Sequence, residues 1–337
     1  MTRSSAVPTV DVHAHAVIGP AFGLAQEQPE ARAAQEVEAG WFGEASTRVN
    51  QQQIQRLIPL LTDLGARLEV MDRSGVDVQV VSPSPQHYHD WAGAPMAQRL
   101  TRMVNEGMAA LCAQRPERLA GLGTVPLHHP ELAVGELTHA VEELGLKGVE
   151  IATTAGGREI AHPDFEGFWA RAEELGALVF IHPWGCTLGH RLDEHYLANV
   201  VGNPTETTVA LSHIIFSGLL DRRPGLRILA AHGGGYLPFY IGRSDHAWQH
   251  RPDSQTPRAA PSEYLRRLYF DALVYQPAAL GALVAQVGAD RVMVGTDYPF
   301  DMGIEDPLDR LRAAALDAGQ REAIRGGNAA ALGLVPG

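Results

Sequence analysis

Cysteine is almost absent from this sequence: there are two in 337 residues, Cys112 and Cys186, with no Cys-x-x-Cys spacing. That excludes a disulfide framework and a thiolate metal site. Lysine is scarcer still. Lys147 is the only one, and the rest of the 27 basic residues are arginines. No run of about eighteen apolar residues occurs, which excludes a membrane-spanning helix. The opening residues, Met1 to Pro8, lack the basic start and apolar core of a signal peptide, so the cytoplasm is the expected compartment. No basic block exists and the formal net charge is −12, which argues against nucleic acid as a partner. Local arginines can still supply counter-charge to an acidic small molecule. No Gly-x-Gly-x-x-Gly follows an early strand, which counts against a dinucleotide-binding fold.

What the chain does have is a rhythm. Apolar runs of β type lie at 9–13, 76–81, 119–125, 148–153, 178–182, 227–231, 268–274 and 291–295. Helix-period stretches such as 96–114, 131–144, 165–175 and 276–286 separate them. Alternation of this kind predicts parallel strands with crossover helices. At this length a single-domain (β/α)8 TIM barrel leads, with a doubly wound open sheet as runner-up. Residues 17–62 break the rhythm. This long, Gln-, Ala- and Glu-rich stretch after the first strand reads as an insertion, a small subdomain or lid over the C-terminal face, with a helix beginning near its end. Pro204 predicts the first turn of a helix, and Asn328 after two glycines is a candidate cap for a last short one.

The chemistry gathers at strand ends. His13 and His15, one residue apart, share a face of the first strand as it gives way to a loop. The fifth strand ends in His182-Pro183-Trp184, the sixth in His232 followed by three glycines, and the eighth in Asp297-Tyr298-Pro299. A histidine ending one strand is usually structural, but four strands ending in imidazole or carboxylate converge on the C-terminal face of a barrel. Three imidazoles and a carboxylate with an open position suit a catalytic divalent ion. His13, His15, His182 and Asp297 are therefore the candidate ligands. His232 is the candidate base, set to take a proton from water whose pKa a metal lowers from 15.7 to about 7. The alternative is that His232 is itself a ligand. Trp184 and Phe300 adjoin ligands and would pack against a planar, conjugated substrate, with ordinary rim packing as the alternative. Asp271 could orient a ligand or an arginine. His87 and His89 read more readily as solvated loop residues.

These segments resemble the amidohydrolase superfamily, and within it the decarboxylase branch that includes the aminocarboxymuconate-semialdehyde decarboxylases. The resemblance runs from Asp11 to Leu332. It rests on Asp11-x-His13-x-His15, Gly75-Val-Asp-Val-Gln-Val80, His182-Pro-Trp184, Pro204-x-Glu206-Thr207, His232-Gly-Gly-Gly235, Gly242-Arg243-x-Asp245-x-Ala-Trp248, Pro261-Ser-Glu-Tyr264, Gly295-x-Asp297-Tyr-Pro-Phe300 and Gly327-Asn328-Ala329. It implies one zinc (manganese being possible) held by His13, His15, His182 and Asp297, with His232 activating water or protonating substrate. It also implies that Arg243 grips a substrate carboxylate and, in a homodimer, reaches the neighbouring subunit's site. In the insert Arg48 is the match for a second substrate arginine, with Arg56 as the alternative. Binuclear relatives bridge their metals with a carbamylated lysine at the end of the fourth strand. Lys147 falls at the start of that strand, which implies one metal per chain. The family's acidic residue after His-Pro-Trp is Gly185 here, and the insert diverges. The implied activity is non-oxidative decarboxylation of a small conjugated or aromatic carboxylate; the alternative is hydrolysis or hydration by the same site, as in lactonase relatives.

Overall fold

The computed structural model describes residues 7–185 and 187–335. The opening residues 1–6 and Cys186 therefore lie outside the described residues. Among the described residues, eight parallel strands form the barrel. They are β1 (Val10–Ala16), β2 (Val78–Pro83), β3 (Leu119–Gly121, resumed over Gly123–Thr124), β4 (Gly148–Ile151), β5 (Leu178–Ile181), β6 (Arg227–Ala230), β7 (Tyr269–Asp271) and β8 (Val292–Met293). Each pairs with the next. The ring closes where the Val12 N–H donates to the Val294 carbonyl at 2.8 Å and Ala14 bridges Tyr298.

Parallel strands buried on both faces call for continuous apolar runs, and β5, Leu-Val-Phe-Ile, is one. Its alternate residues divide between two layers. Leu178 and Phe180 join Val10, Val12, Val80, Leu229 and Met293 in an inner cluster. Val179 and Ile181 face the outer helices. Fully burying one such side chain contributes roughly 1.5–3 kcal/mol.

Residues 17–62 are helical almost throughout, not only near their end as the sequence reading has it. They form α1 (Gly19–Gln26) and α2 (Pro29–Thr62), and α3 (Leu64–Ser74) follows. Ala, Gln and Glu are good helix formers, but α2 carries no continuous apolar stripe. It buries only Ala31, Ser46, Leu57 and Leu61, because one side overlooks a cavity and the other faces water. α2 breaks at Gly43 (φ 71°, ψ 170°), where a Cβ would lie 1.8 Å from the Asp193 carbonyl oxygen. There the insert meets the segment after β5 through a satellite cluster of Trp41, Phe42, Leu188, Leu192, Leu197, Ala198 and Val201.

Helix α4 (Asn203–Phe216) carries Pro204 in its first turn. Asn328 does not cap the last helix: it is the first residue of that helix, and its side-chain amide donates to the Ala289 and Val292 carbonyls instead. No helix among the described residues is long and apolar enough to cross a membrane.

Candidate metal centre

His13 and His15 both lie inside β1, not beyond its end, because the strand runs on to Ala16. The β1–β2 register shifts between Asp11 and Ala14, and an irregularity of this kind re-aims side chains. The two imidazoles come to 5.1 Å between ring centroids. Asp11 instead points toward α3, lining a cleft with Val70, Met71 and Gln79. Asp297 and His232 hold positive φ values of 57° and 55°, conformations that non-glycine residues adopt at a cost and that cluster at functional sites. Gly295 is required by packing: a Cβ there would lie 2.7 Å from the Asp271 Cβ and 3.0 Å from the His13 Cβ.

The structure brings together one donor atom each from His13, His15, His182 and Asp297, all within 4.8 Å of one another and all on buried residues. His13 Nε2, His15 Nε2, both ring nitrogens of His182 and Asp297 Oδ1 have no hydrogen-bond partner. Buried polar atoms left unpaired are costly and rare, so this group of lone pairs marks a place built for a cation. The electrostatics agree. Burial and the neighbouring imidazoles hold His182 well below its ordinary pKa. Burial opposes ionisation of Asp297, yet His13, His15 and His232 keep its pKa well below the usual carboxylate range. Burial also opposes a charge on His13, but Asp297 and Asp271 outweigh it and push the pKa up to about 10. The cluster demands positive charge where its lone pairs meet, as a proton or as a metal. Three nitrogens and one oxygen fit a divalent metal ion.

Asp271 turns out to orient a histidine, not an arginine. One of its oxygens lies 2.6 Å from His13 Nδ1, and its carboxylate accepts the backbone N–H groups of His232 and Gly233, each at 2.8 Å. It thus fixes a candidate ligand and the turn presenting His232 at once. The His232 ring lies 5.2 Å from those of His13 and His182, and its Nε2 is 3.6 Å from Asp297 Oδ2.

Two further hydrogen-bond networks brace the cluster. Arg67, completely buried, donates to the Gln79 side chain at 2.6 Å and to the His15 carbonyl at 2.5 Å. Gln79 passes this on to Asp11, which also accepts from the Thr296 hydroxyl at 2.7 Å, next to Asp297. On the other side Glu150 accepts from Ser82 at 2.5 Å and from Tyr88 at 2.7 Å, and Ser82 Oγ lies 3.3 Å from His15 Nδ1. A lone glutamate in the apolar strand Gly-Val-Glu-Ile was the available signal. Lys147 precedes that strand, at the end away from the cluster.

Above the cluster lies a cavity walled by α2 (Phe42, Asn50, Gln53, Ile54, Leu57), by Trp184, Tyr196, Asn199 and Asn203 after β5, and by Phe300, Asp301 and Met302 after β8. Trp184 also donates its indole N–H to Glu38 of α2 at 3.1 Å, tying the wall to the insert. The Phe300 ring stands 5.4 Å from that of His15. Among the described residues, no lysine or arginine lines this cavity. Arg48 is exposed and pairs with Glu44 one helical turn away at 2.8 Å, so the structure does not bring it to the site. Arg56 lines the cleft beside Asp11 instead. Arg243 is exposed on a short helix, α5 (Gly242–His250), and does not line the cavity of its own chain. His87 and His89 are buried rather than solvated, because α1 covers the loop after β2: His87 Nε2 accepts the Ile18 N–H at 3.0 Å.

Barrel, clustered imidazoles and buried aspartate together define a candidate divalent-metal site at the mouth of the barrel. Residues 10–332 match the Amidohydrolase family model, and the chain belongs to that family. Among its relatives is the 2-amino-3-carboxymuconate-6-semialdehyde decarboxylase of Dictyostelium discoideum, 36% identical over 278 residues, covering 81% of this chain and 77% of the relative. The gamma-resorcylate decarboxylase of Rhodococcus jostii (strain RHA1) is 29% identical over 290 residues, covering 81% and 88%. In three dimensions the chain is similar to the 5-carboxyvanillate decarboxylase of Sphingomonas paucimobilis, with a TM-score of 0.82, 25% identity and coverage of 97% and 99%.

Proposed function

We propose that this protein is a metal-dependent, non-oxidative decarboxylase, a carbon–carbon lyase acting on a small conjugated or aromatic carboxylate. The observation that carries the reading is the set of unpaired, buried donor atoms beneath a closed-over cavity, with a further imidazole at its rim, in a chain whose relatives are decarboxylases. His13, His15, His182 and Asp297 hold one divalent ion, zinc by the preference of this donor set and manganese as the alternative. When bound, such an ion supplies Lewis-acid charge that orients and polarises a substrate oxygen.

The chain's own groups do the rest. Phe300 and Trp184 wall the substrate and exclude water from its carboxylate, which favours departure as neutral carbon dioxide. His232, steadied by Asp271, delivers a proton from its ring nitrogen to the substrate carbon as the carbon–carboxylate bond breaks. The bonding pair stays on that carbon and becomes the new C–H bond, so carboxylate plus proton gives carbon dioxide and the protonated carbon. Asp297, as a ligand facing His232, sets the charge that this imidazole meets. Residues 17–62 serve as the lid of a single-domain barrel.

Besides the metal, the substrate carboxylate needs a counter-charge that no described side chain lining the cavity offers. We assign it to Arg243 of a second subunit in a homodimer, formed on the face where Tyr236, Phe239 and Tyr240 stand 46%, 45% and 69% exposed. A free, buried-leaning Cys112 suits the reducing cytoplasm. The test is carbon dioxide release by metal-loaded protein from a panel of hydroxylated benzoates and 2-amino-3-carboxymuconate-6-semialdehyde. Release from at least one member, with a product one carbon shorter, is expected. Turnover to hydrated or hydrolysed products alone would overturn the reading.

A further inference from the structure

A second cavity, of about 520 Å3, lies beside the one over the metal cluster, between the first half of α2 and the segments that follow β2, β4 and β5. None of the described residues lining it comes from the stretch 236–250, where the second subunit is placed. Of the five tryptophans in the chain, three line it: Trp41, Trp91 and Trp184. Gly185 (φ 110°) makes room for the first of them, since a Cβ there would lie 3.3 Å from the Trp41 ring. Glu38 of α2 and Glu206 of α4 bring carboxylates to the same space. Glu206 is only 4% exposed, and its Oε1 accepts the Thr187 N–H at 2.7 Å and the Thr187 hydroxyl at 2.5 Å. Glu38 accepts the Trp184 indole N–H on Oε1. Among the described residues, neither Oε2 accepts a hydrogen bond. Burial pushes the Glu38 pKa up, and the Trp184 contact works against that rise. His89, 7% exposed and at a positive φ of 51°, completes the wall with an unpaired Nε2. Burial takes its pKa down to about 4, so this ring is uncharged at neutral pH.

We propose that this cavity is a second ligand site and takes an organic ammonium ion, a protonated primary amine on a small aromatic or apolar body. Indole faces attract cations more strongly than the other aromatic side chains do. An ammonium has three donors and no acceptor, which matches two free carboxylate oxygens and the lone pair of a neutral imidazole. Its charge also offsets the cost of holding Glu38 and Glu206 away from water. An acid meets two carboxylates here and is repelled, so this site and the neighbouring one select opposite charges. Trp184 is common to both walls, which places the cation against the side chain that ties the insert to the barrel.

Calorimetric titration of the metal-loaded protein with 2-phenylethylamine, and with 2-phenylethanol as its uncharged counterpart, tests the proposal. The amine is expected to bind with a Kd below about 1 mM and about tenfold or more tighter than the alcohol. Glu38→Gln and Trp91→Leu, both away from the metal cluster, are each expected to weaken the amine about tenfold. Phe300→Leu, which alters only the wall of the other cavity, is expected to leave it unchanged. Equal affinities for amine and alcohol, no saturation by about 10 mM, or an amine affinity that neither Glu38→Gln nor Trp91→Leu lowers would overturn the proposal. A loss confined to Phe300→Leu would put the amine over the metal cluster and overturn it as well. Carbon dioxide release tests the decarboxylase reading separately and does not depend on these outcomes.

Discussion

The floor of the cavity and its roof are held in place by different means. On the floor His13, His15, Asp271 and Glu150 show no exposed surface, and each is tied by hydrogen bonds to a residue from another strand. The roof helix α2 leaves Val37, Val49, Ile54 and Ile58 between 40% and 58% exposed and meets the rest of the molecule through a small satellite cluster, the Trp184–Glu38 hydrogen bond and its last turns. A floor so constrained fixes one chemistry, whereas a roof held by a few apolar contacts can change residue by residue. On the proposed mechanism, metal and proton transfer belong to the first and substrate choice to the second.

The largest effects are expected on the floor. His232→Ala should lower turnover by about 10²- to 10⁴-fold while the protein keeps its metal, as read by kinetics and metal content on one sample. Loss of metal in that variant would make His232 a ligand. Asp271→Asn, which replaces a charge-assisted contact to His13 with a neutral one, should weaken metal binding by about 10- to 100-fold, measured by competition with a chelator. An unchanged affinity would break the link between Asp271 and the cluster.

A moderate effect is expected where the roof meets the barrel. Burial pushes His87 down to about 3, and His89, where Asp90 partly opposes burial, to about 4. Between those values and the ordinary 6.5 the unfolded chain binds protons that the folded chain does not, so stability falls as pH drops through that window. Each such group contributes up to about 1.4 kcal/mol per pH unit. His87→Gln, which can still accept from Ile18, should flatten the acid side of a stability–pH curve obtained by urea unfolding. An equally steep curve would mean that α1 does not shield this loop. The smallest effect is expected on the outer roof, where Val37→Ser should change stability by no more than about 0.5 kcal/mol.

The same contrast explains what the sequence made legible. Strand-end residues on the floor stood out because an imidazole or carboxylate ending an apolar run is conspicuous, and the strand–helix rhythm then implied a common face. Glu150 and Gln79 were harder to see: each is one polar residue inside a strand, and its partners come from strands far along the chain. The roof was hardest. Arg48 fits the family pattern, yet its direction depends on helical phase and on Glu44 beside it. His87 and His89 looked solvated because nothing local indicated that α1 would cover them. Side chains whose environment comes from distant segments leave no local trace.

If His13, His15, His182 and Asp297 share one ion, as proposed, calorimetric titration of metal-stripped protein with zinc tests it most directly. One tight equivalent per chain is predicted for the wild-type protein, with tight binding lost in Asp297→Asn. Two tight equivalents, or a single one undiminished by that substitution, would contradict it.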